Sequence, residues 1–379
     1  MPSFHSSVVG GSTAARRLHC PGSRALEARY PNVESEYAAE GTSLHTAMEW
    51  VIADQLDPQT LLGKRVDDNI HALSQEQVDA LEWCRVRVEA ELGTDEFDLE
   101  VWGDFPGIEG GGGTSDVVIY RDGGKHIVVM DYKFGRGVPV FAEDNAQGKF
   151  YGICAAHREG ITPERVTFHV LQPRLESHTQ ETWDWDEMLR FQRELIHAVE
   201  HARPEYNMGE WCKFCRGMPG CPAQREDARR AFQWGVVARE DLPAALAMVE
   251  QVEGWAASVR AAAHAAMDEG ATLQGWKLVQ KRGSRVWKEP DEVIEKWLYR
   301  TFGLLKKSRI TAKLVSPAQV ESLVGSKRKA EVGEMVRSVA GVGTTLAREG
   351  DERPAVNKTA RSLSNMQAAI EAAKAKEKT

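Results

Sequence analysis

Four stretches in the first half of the chain carry the two-residue period of strands, or run apolar at strand length, among stretches with the 3.6-residue period of helices. Residues 97–102 (FDLEVW) alternate apolar and polar, which predicts a half-buried strand. Residues 115–120 (SDVVIY) predict a second strand and Asp122-Gly123-Gly124 a hairpin turn. Residues 125–132 (KHIVVMDY) predict a third strand, apolar enough to be buried on both faces. The run Gly110 to Gly113 is a turn before the second strand, and 166–171 (VTFHVL) read as a fourth strand. Ser12 or Thr13 would cap a short helix over 14–18, which Pro21 and Gly22 end. Glu40-Gly41-Thr42 opens a second helix with Leu44, Met48 and Val51 on one face. Residues 75–91 predict a third, with Val78, Leu81, Val86 and Val88 as its core, and 145–158 and 188–202 predict two more. A meander, a helix, a strand and a helix, in that order, predict an α/β fold with a mixed central sheet flanked by helices.

After residue 222 the pattern changes. Residues 223–270 are Ala-rich and helical in period, and 276–279 (WKLV) with 285–287 (RVW) predict a β-hairpin around Lys281-Arg282-Gly283-Ser284. A helix over 290–302 follows. Beyond 341 the chain turns polar and Gly-rich, and 366–379 read as a solvated helix or tail. The division this suggests is a first domain over 1–224, a mainly helical, basic accessory domain over 225–345 and a polar tail over 346–379.

With 379 residues, 42% hydrophobic and 27% charged, the chain is not wholly disordered, collagenous or a coiled-coil rod. No apolar run approaches the ~18 residues of a membrane span, and the first residues lack a signal-peptide core, so a cytoplasmic protein is expected. The net charge of −8 gives no global sign of nucleic acid, but residues 281–330 hold 13 Lys or Arg against 5 Asp or Glu. Such a segment either binds a polyanion locally or is a solvated helix face.

Asp116 lies on the second predicted strand and Asp131 near the end of the third, so antiparallel pairing brings both carboxylates to one rim. Lys133, two residues after Asp131, shares its face. Two acids and a lysine on one face suit a hard divalent cation with a positive group beside it, as Mg²⁺-dependent phosphodiester cleavage requires. Alone, D-x-K also arises by chance as surface charge at strand ends. His45, on the second helix, offers an imidazole ligand or is an ordinary packed side chain. Gln147 and Tyr151, four residues apart, share a helix face that would meet DNA or be plain polar surface.

Taken in order, Gly41…His45, Gly113…Asp116, Asp131…Lys133 and Gln147…Tyr151 resemble the RecB-like branch of the PD-(D/E)XK nuclease superfamily. Its pattern is G-x-x-x-H, G-x-x-D, D-x-K and Q-x-x-x-Y. The resemblance implies a restriction-endonuclease-like core. It implies His45, Asp116 and Asp131 as ligands of Mg²⁺ or Mn²⁺, the Tyr132 backbone carbonyl completing the shell, and Lys133 as the catalytic lysine. Gln147 and Tyr151 would contact DNA or orient the site. Asp131 stands where many relatives carry glutamate. The implied activity is hydrolysis of phosphodiesters at DNA ends by a two-metal-type mechanism.

Of six cysteines, Cys84 and Cys154 sit in apolar patterns and read as small buried hydrophobes. Cys212, Cys215 and Cys221 crowd into ten residues, with Cys20 far upstream. Four thiolates would hold Zn²⁺ or a [4Fe–4S] cluster, and spacing does not choose between them. The set resembles that of AddB-type nucleases and the CRISPR-associated iron–sulfur exonucleases, which are also RecB-like. These carry one cysteine before the nuclease core and three after it. That likeness implies iron, in a cluster fastening the N-terminal segment to the end of the nuclease domain. Phage and prophage proteins of a poorly characterised family look similar over the whole chain, sharing residues 37–42 (YAAEGT) and Gln172-Pro173-Arg174.

Trp276, Trp287 and Trp297 are interleaved with cations that include Lys281, Arg282 and Arg285. Aromatics among cations suit single-stranded nucleic acid. They equally suit a small tryptophan core with a basic rim, or a dock for a partner such as a phage annealing protein or single-strand-binding protein. Two functions compete: a DNA exonuclease, and a catalytically inactive nucleic-acid-binding module stabilised by zinc or a cluster. An RNA-directed or endonucleolytic enzyme of the same fold is a third.

Overall fold

A computed structural model describes residues 6, 8–31, 36–67, 72–135, 139–233, 241–304, 314–325, 328–339 and 343–356. The chain divides into two compact units, Met1–Val259 and Arg260–Thr379. The helices that begin before residue 260 are α1 (Gly11–His19), α2 (Ser23–Glu27), α3 (Glu36–Ala53), α4 (Gln75–Leu92), α5 (Ala146–Glu159), α6 (Trp185–Glu200), α7 (Pro222–Gln233) and α8 (Leu242–Asp268). No helix among the described residues is long and apolar enough to cross a membrane.

The first unit is mixed α/β. Five strands lie side by side in chain order: β1 (Glu96–Asp104), β2 (Gly112–Arg121), β3 (His126–Tyr132), β4 (Arg165–Gln172) and β5 (Ser177–Asp184). The first three form an antiparallel meander, β4 runs parallel to β3, and β5 returns antiparallel. The parallel step needs a crossover, and α5 supplies it. Helices cover both faces. On one, Ala14 of α1, Phe150 and Ile153 of α5, and Met188 and Leu195 of α6 pack with Val129, Val166 and Phe168. On the other, Leu44 and Met48 of α3 and Leu81 and Val88 of α4 pack with Ile119, Val128 and Met130. Each such large side chain contributes about 1.5–3 kcal/mol on burial. Ile127 to Met130 are fully buried, as the apolar run of the third strand requires.

Three features of the sequence reading change. β5 was not anticipated: SHTQETWD is polar at nearly every position, and Trp183 alone in it is buried, because β5 is an edge strand. Val86 is 51% exposed rather than core, since at 3.6 residues per turn it stands about 140° round α4 from Leu81. The third change lies in the second unit, whose elements are β6 (Trp276–Gln280), β7 (Ser284–Trp287), α9 (Asp291–Phe302), α10 (Pro317–Val324), α11 (Lys329–Glu334), β8 (Val336–Val339) and β9 (Thr344–Arg348). β6 pairs with β9 and β7 with β8, so the predicted hairpin of β6 with β7 does not form. A lone short hairpin is marginal in water. Pairing with β8 instead places Trp287 and Val336 against a cluster of Ile294, Leu298, Val320 and Val332. β9 and a bridge from Val279 to Ala355 bring residues 344–355 into this unit, although their composition suggested a tail from 346. Residues 357–379 lie outside the described residues.

Candidate metal centre

The sheet register sets three carboxylates in one row. β1 pairs Leu99 with Val117 and Val101 with Ser115, which places Glu100 opposite Asp116. β2 pairs with β3 as far as Val117 and Met130, so the next step sets Asp116 opposite Asp131. The ladder is disturbed where the row crosses it. Glu100 has a φ of 46°, a left-handed backbone that costs a non-glycine residue about 1–2 kcal/mol. β2 and β3 stop pairing before Asp116, whose Oδ2 accepts a hydrogen bond from the Tyr132 backbone N–H at 2.6 Å instead. Strain concentrated at a row of acids points to a site rather than to plain scaffold.

Helix α3 brings an imidazole to this row. Leu44, Met48 and Val51 enter the core, and neighbouring His45 sits half-buried with Nδ1 3.1 Å from Asp116 Oδ1 and 3.5 Å from Glu100 Oε1. One ligand atom each from His45, Glu100 and Asp116 lies within 4.8 Å of the others. The rings of Tyr132 and Phe134 wall His45 edge-on. Burial alone would lower the His45 pKa, but the Asp116 and Glu100 carboxylates override it and raise it to about 10. Burial raises Glu100, with Asp116 adding to it against His45. Burial likewise raises Asp131, with Asp116 adding to it and Lys133 opposing. Glu100 Oε1 and Asp131 Oδ2 are buried without a hydrogen bond. Three carboxylates here face two cations, His45 and Lys133, so the cluster is short of positive charge, and a hard divalent cation fits it.

The other predicted residues gather at the same place. Lys133 Nζ forms an ion pair with Asp131 Oδ2 at 2.5 Å, and its backbone N–H donates to the Leu171 carbonyl. Asp131 Oδ1 accepts from Gln147 Nε2 at 2.9 Å, and that nitrogen is 3.4 Å from the Tyr151 hydroxyl. Asn145 caps α5 by accepting from the N–H groups of Gln147 and Gly148, which fixes the turn that carries Gln147. Tyr151 is buried, and burial followed by the charges of Asp131 and Asp116 pushes its phenol up. It therefore backs Gln147 rather than facing solvent. Sequence reasoning missed Glu100. Its only sign was a place in an alternating strand, and nothing local fixed the register that sets it against Asp116.

At the far end of α1 the four singled-out thiols line one cavity, with Arg16 among its walls: Cys20, Cys212, Cys215 and Cys221. No disulfide joins them. Turns place them: Cys215 N–H donates to the Cys212 carbonyl and Cys221 N–H to that of Met218. Burial pushes Cys215 up to about 11 and also raises Cys20, while the Arg16 charge pulls both the other way. Arg16 and Arg17 are buried, and both pair with Glu27. Cys84 and Cys154 lie in the two hydrophobic clusters of the sheet, as their patterns predicted.

The basic segment is in the second unit. Arg285 forms an ion pair with Glu321, which Lys329 also meets at 3.2 Å. Lys281 donates its backbone N–H to the Gly343 carbonyl, and Arg282 is exposed. Trp287 donates its indole N–H to the Val315 carbonyl and packs edge-on against Trp297, while Arg348 lies over Trp276. Trp287 and Trp297 thus form a small core rather than an open stacking platform.

Residues 5–354 match the model of a family described as a protein of unknown function (DUF2800). Among solved structures, the chain is similar to one titled "Crystal structure of SSO0001" at 16% identity and a TM-score of 0.26, over 55% of this chain and 84% of that one. A likeness at that level carries no argument about the site.

Proposed function

The chain belongs to the DUF2800 family, found in phage and prophage genomes, and from its own site we propose that it is a metal-dependent DNA exonuclease on a PD-(D/E)XK core. The observation that carries this reading is the row Glu100, Asp116 and Asp131, met by His45 from α3 and by Lys133 at its end. In it, His45, Asp116 and Asp131 would hold Mg²⁺ or Mn²⁺, with Glu100 as a further acid. Such an ion polarises a phosphate oxygen and lowers the pKa of bound water. Lys133, paired to Asp131 yet 28% exposed, is placed to offset charge growing on the phosphate. Gln147 holds the second oxygen of Asp131 and so fixes the carboxylate's orientation. The thiol cavity is read as the seat of a [4Fe–4S] cluster, with Zn²⁺ as the alternative occupant. The preference for DNA ends follows from the resemblance to the iron–sulfur exonucleases.

The test is nucleotide release from end-labelled linear DNA with Mg²⁺ or Mn²⁺, beside covalently closed circles. Linear DNA should be degraded and circles spared. Asp116→Ala, Asp131→Ala and Lys133→Ala should each abolish release while the chain still unfolds cooperatively. Retained cleavage by the Asp131 variant would sink the assignment. Binding without cleavage by the unaltered chain would support the inactive binding module.

A further inference from the structure

Phe214 is 73% exposed, more than any other large hydrophobic side chain among the described residues. Single exposed hydrophobic residues are common. Two observations set this one apart. The first is that its loop is anchored from within. Arg16, only 5% exposed, donates to the carbonyls of Trp211 and Phe214, both at 3.3 Å, and is itself held by Glu27 at 2.5 Å. The ring is displayed on a fixed backbone, so little order is lost when it binds something. The second is charge. Lys213 and Arg216 flank it, both exposed, and neither makes an ion pair among the described residues. Some arginines in this unit are matched to acids, such as Arg85 with Glu82 and Glu89, and Arg158 with Asp98, whereas Lys213 and Arg216 leave two cations, free among the described residues, beside one exposed ring.

We propose that the loop from Cys212 to Arg216 grips single-stranded DNA, with Phe214 stacking on an unpaired base and Lys213 and Arg216 on the flanking phosphates. An aromatic between unmatched cations fits the alternation of base and phosphate along a strand. This rests on the nuclease reading and adds a second contact to it. Helix α1 connects the two places. A Cβ at Gly11 would lie 2.6 Å from the Tyr151 ring, and Cys20, just past the other end, lines the thiol cavity. Nine helical residues span about 13 Å, so a strand ending at the metal centre has the loop within reach.

The experiment uses the full chain, purified without oxygen, and a fluorescein-labelled dT20 in buffer without added divalent cation. Phe214→Ala should weaken binding roughly tenfold or more, and Phe214→Trp should retain it. Lys213→Ser with Arg216→Ser should lower the slope of log affinity against log salt by about 1.4. All variants should keep the iron or zinc content and the Mn²⁺-dependent hydrolysis of bis-p-nitrophenyl phosphate. If Phe214→Ala loses metal, the Trp variant and the Lys213/Arg216 pair decide. Unaltered dT20 binding in Phe214→Ala and in the Lys213/Arg216 pair overturns the proposal, including where only a protein partner is lost. Failure of the unaltered chain to hydrolyse the small diester fails the nuclease reading instead.

Discussion

Glu100 stands opposite Asp116 across the β1–β2 ladder, and it does so with a left-handed backbone in the middle of a strand. A glutamate forced into that conformation, with an oxygen 3.5 Å from His45 and no hydrogen bond, has its carboxylate where a cation would use it. Glu100→Gln should therefore keep the fold but bind Mn²⁺ more weakly. A ligand at 100 times its Kd stabilises a protein by about 2.7 kcal/mol. Thermal unfolding with and without Mn²⁺ reads this directly. The Mn²⁺-induced rise in Tm should shrink in the variant, and an unchanged rise would remove Glu100 from the site.

Gly11 is far from the metal centre in sequence but abuts the Tyr151 ring. An added methyl would lie 2.6–2.9 Å from three of its atoms. Tyr151 is buried against Phe150 and hydrogen-bonded to Gln147, so it has little room to yield. Overpacking of this kind costs about 1–3 kcal/mol. Gly11→Ala should lower Tm and also lower kcat, because displacing Tyr151 disturbs the Gln147 contact to Asp131. Gly41→Ala, with nothing within 4 Å of its added carbon, is the matched control and should do neither.

His169 and His178 give a test of pH dependence away from the metal centre. His169 Nδ1 is 2.9 Å from His178 Nε2, a hydrogen bond in which one ring donates and the other accepts. Burial lowers both pKa values, that of His169 to about 4. The His178, Arg121 and His126 charges lower His169 further, and Glu91 opposes them. A folded-state pKa below the unfolded value means the unfolded chain binds more protons between them. Stability present above about pH 6.5 is thus lost as pH falls toward 4, by on the order of 3 kcal/mol. Urea unfolding at pH 7 and pH 5 should show a smaller loss in His169→Gln than in the unaltered chain. Equal losses would place the acid sensitivity elsewhere.

What the sequence made legible was local. Asp131 and Lys133 lie two residues apart and Gln147 and Tyr151 one helical turn apart, so their relation within each pair follows from period alone. In the meander, β2 and β3 stood out because both their faces are covered and their residues are apolar, and β1 because its residues alternate. Relations set by tertiary register were not legible. Glu100 joins Asp116 only through strand pairing, Arg16 meets the Phe214 carbonyl across nearly 200 residues, and β6 and β7 choose partners some 50 to 70 residues away. Edge strand β5 escaped notice because its exposed positions carry no hydrophobic signal.

The thiol cavity makes a prediction about stability that does not depend on catalysis. Cys20 and Cys212 are separated by about 190 residues, yet both line the cavity. An ion or cluster bound to both closes that loop, and in the chain-entropy model closing a loop of this size is worth about 5 kcal/mol. Cys20→Ser should remove one ligand, release most of the iron or zinc, and lower Tm by far more than a cysteine substitution elsewhere. Cys84→Ser is the comparison: that thiol is fully buried in the cluster beneath α3 and α4, so its loss disturbs packing but should leave metal content unchanged. Metal analysis and thermal unfolding of the two variants, prepared side by side without oxygen, separate the cases. About four irons per chain in the Cys84 variant and few in the Cys20 variant would identify a cluster that staples the N-terminal helix to the end of the sheet unit, and one zinc would identify the simpler staple. Equal metal content in both would mean that Cys20 is a neighbour of the site and not a ligand.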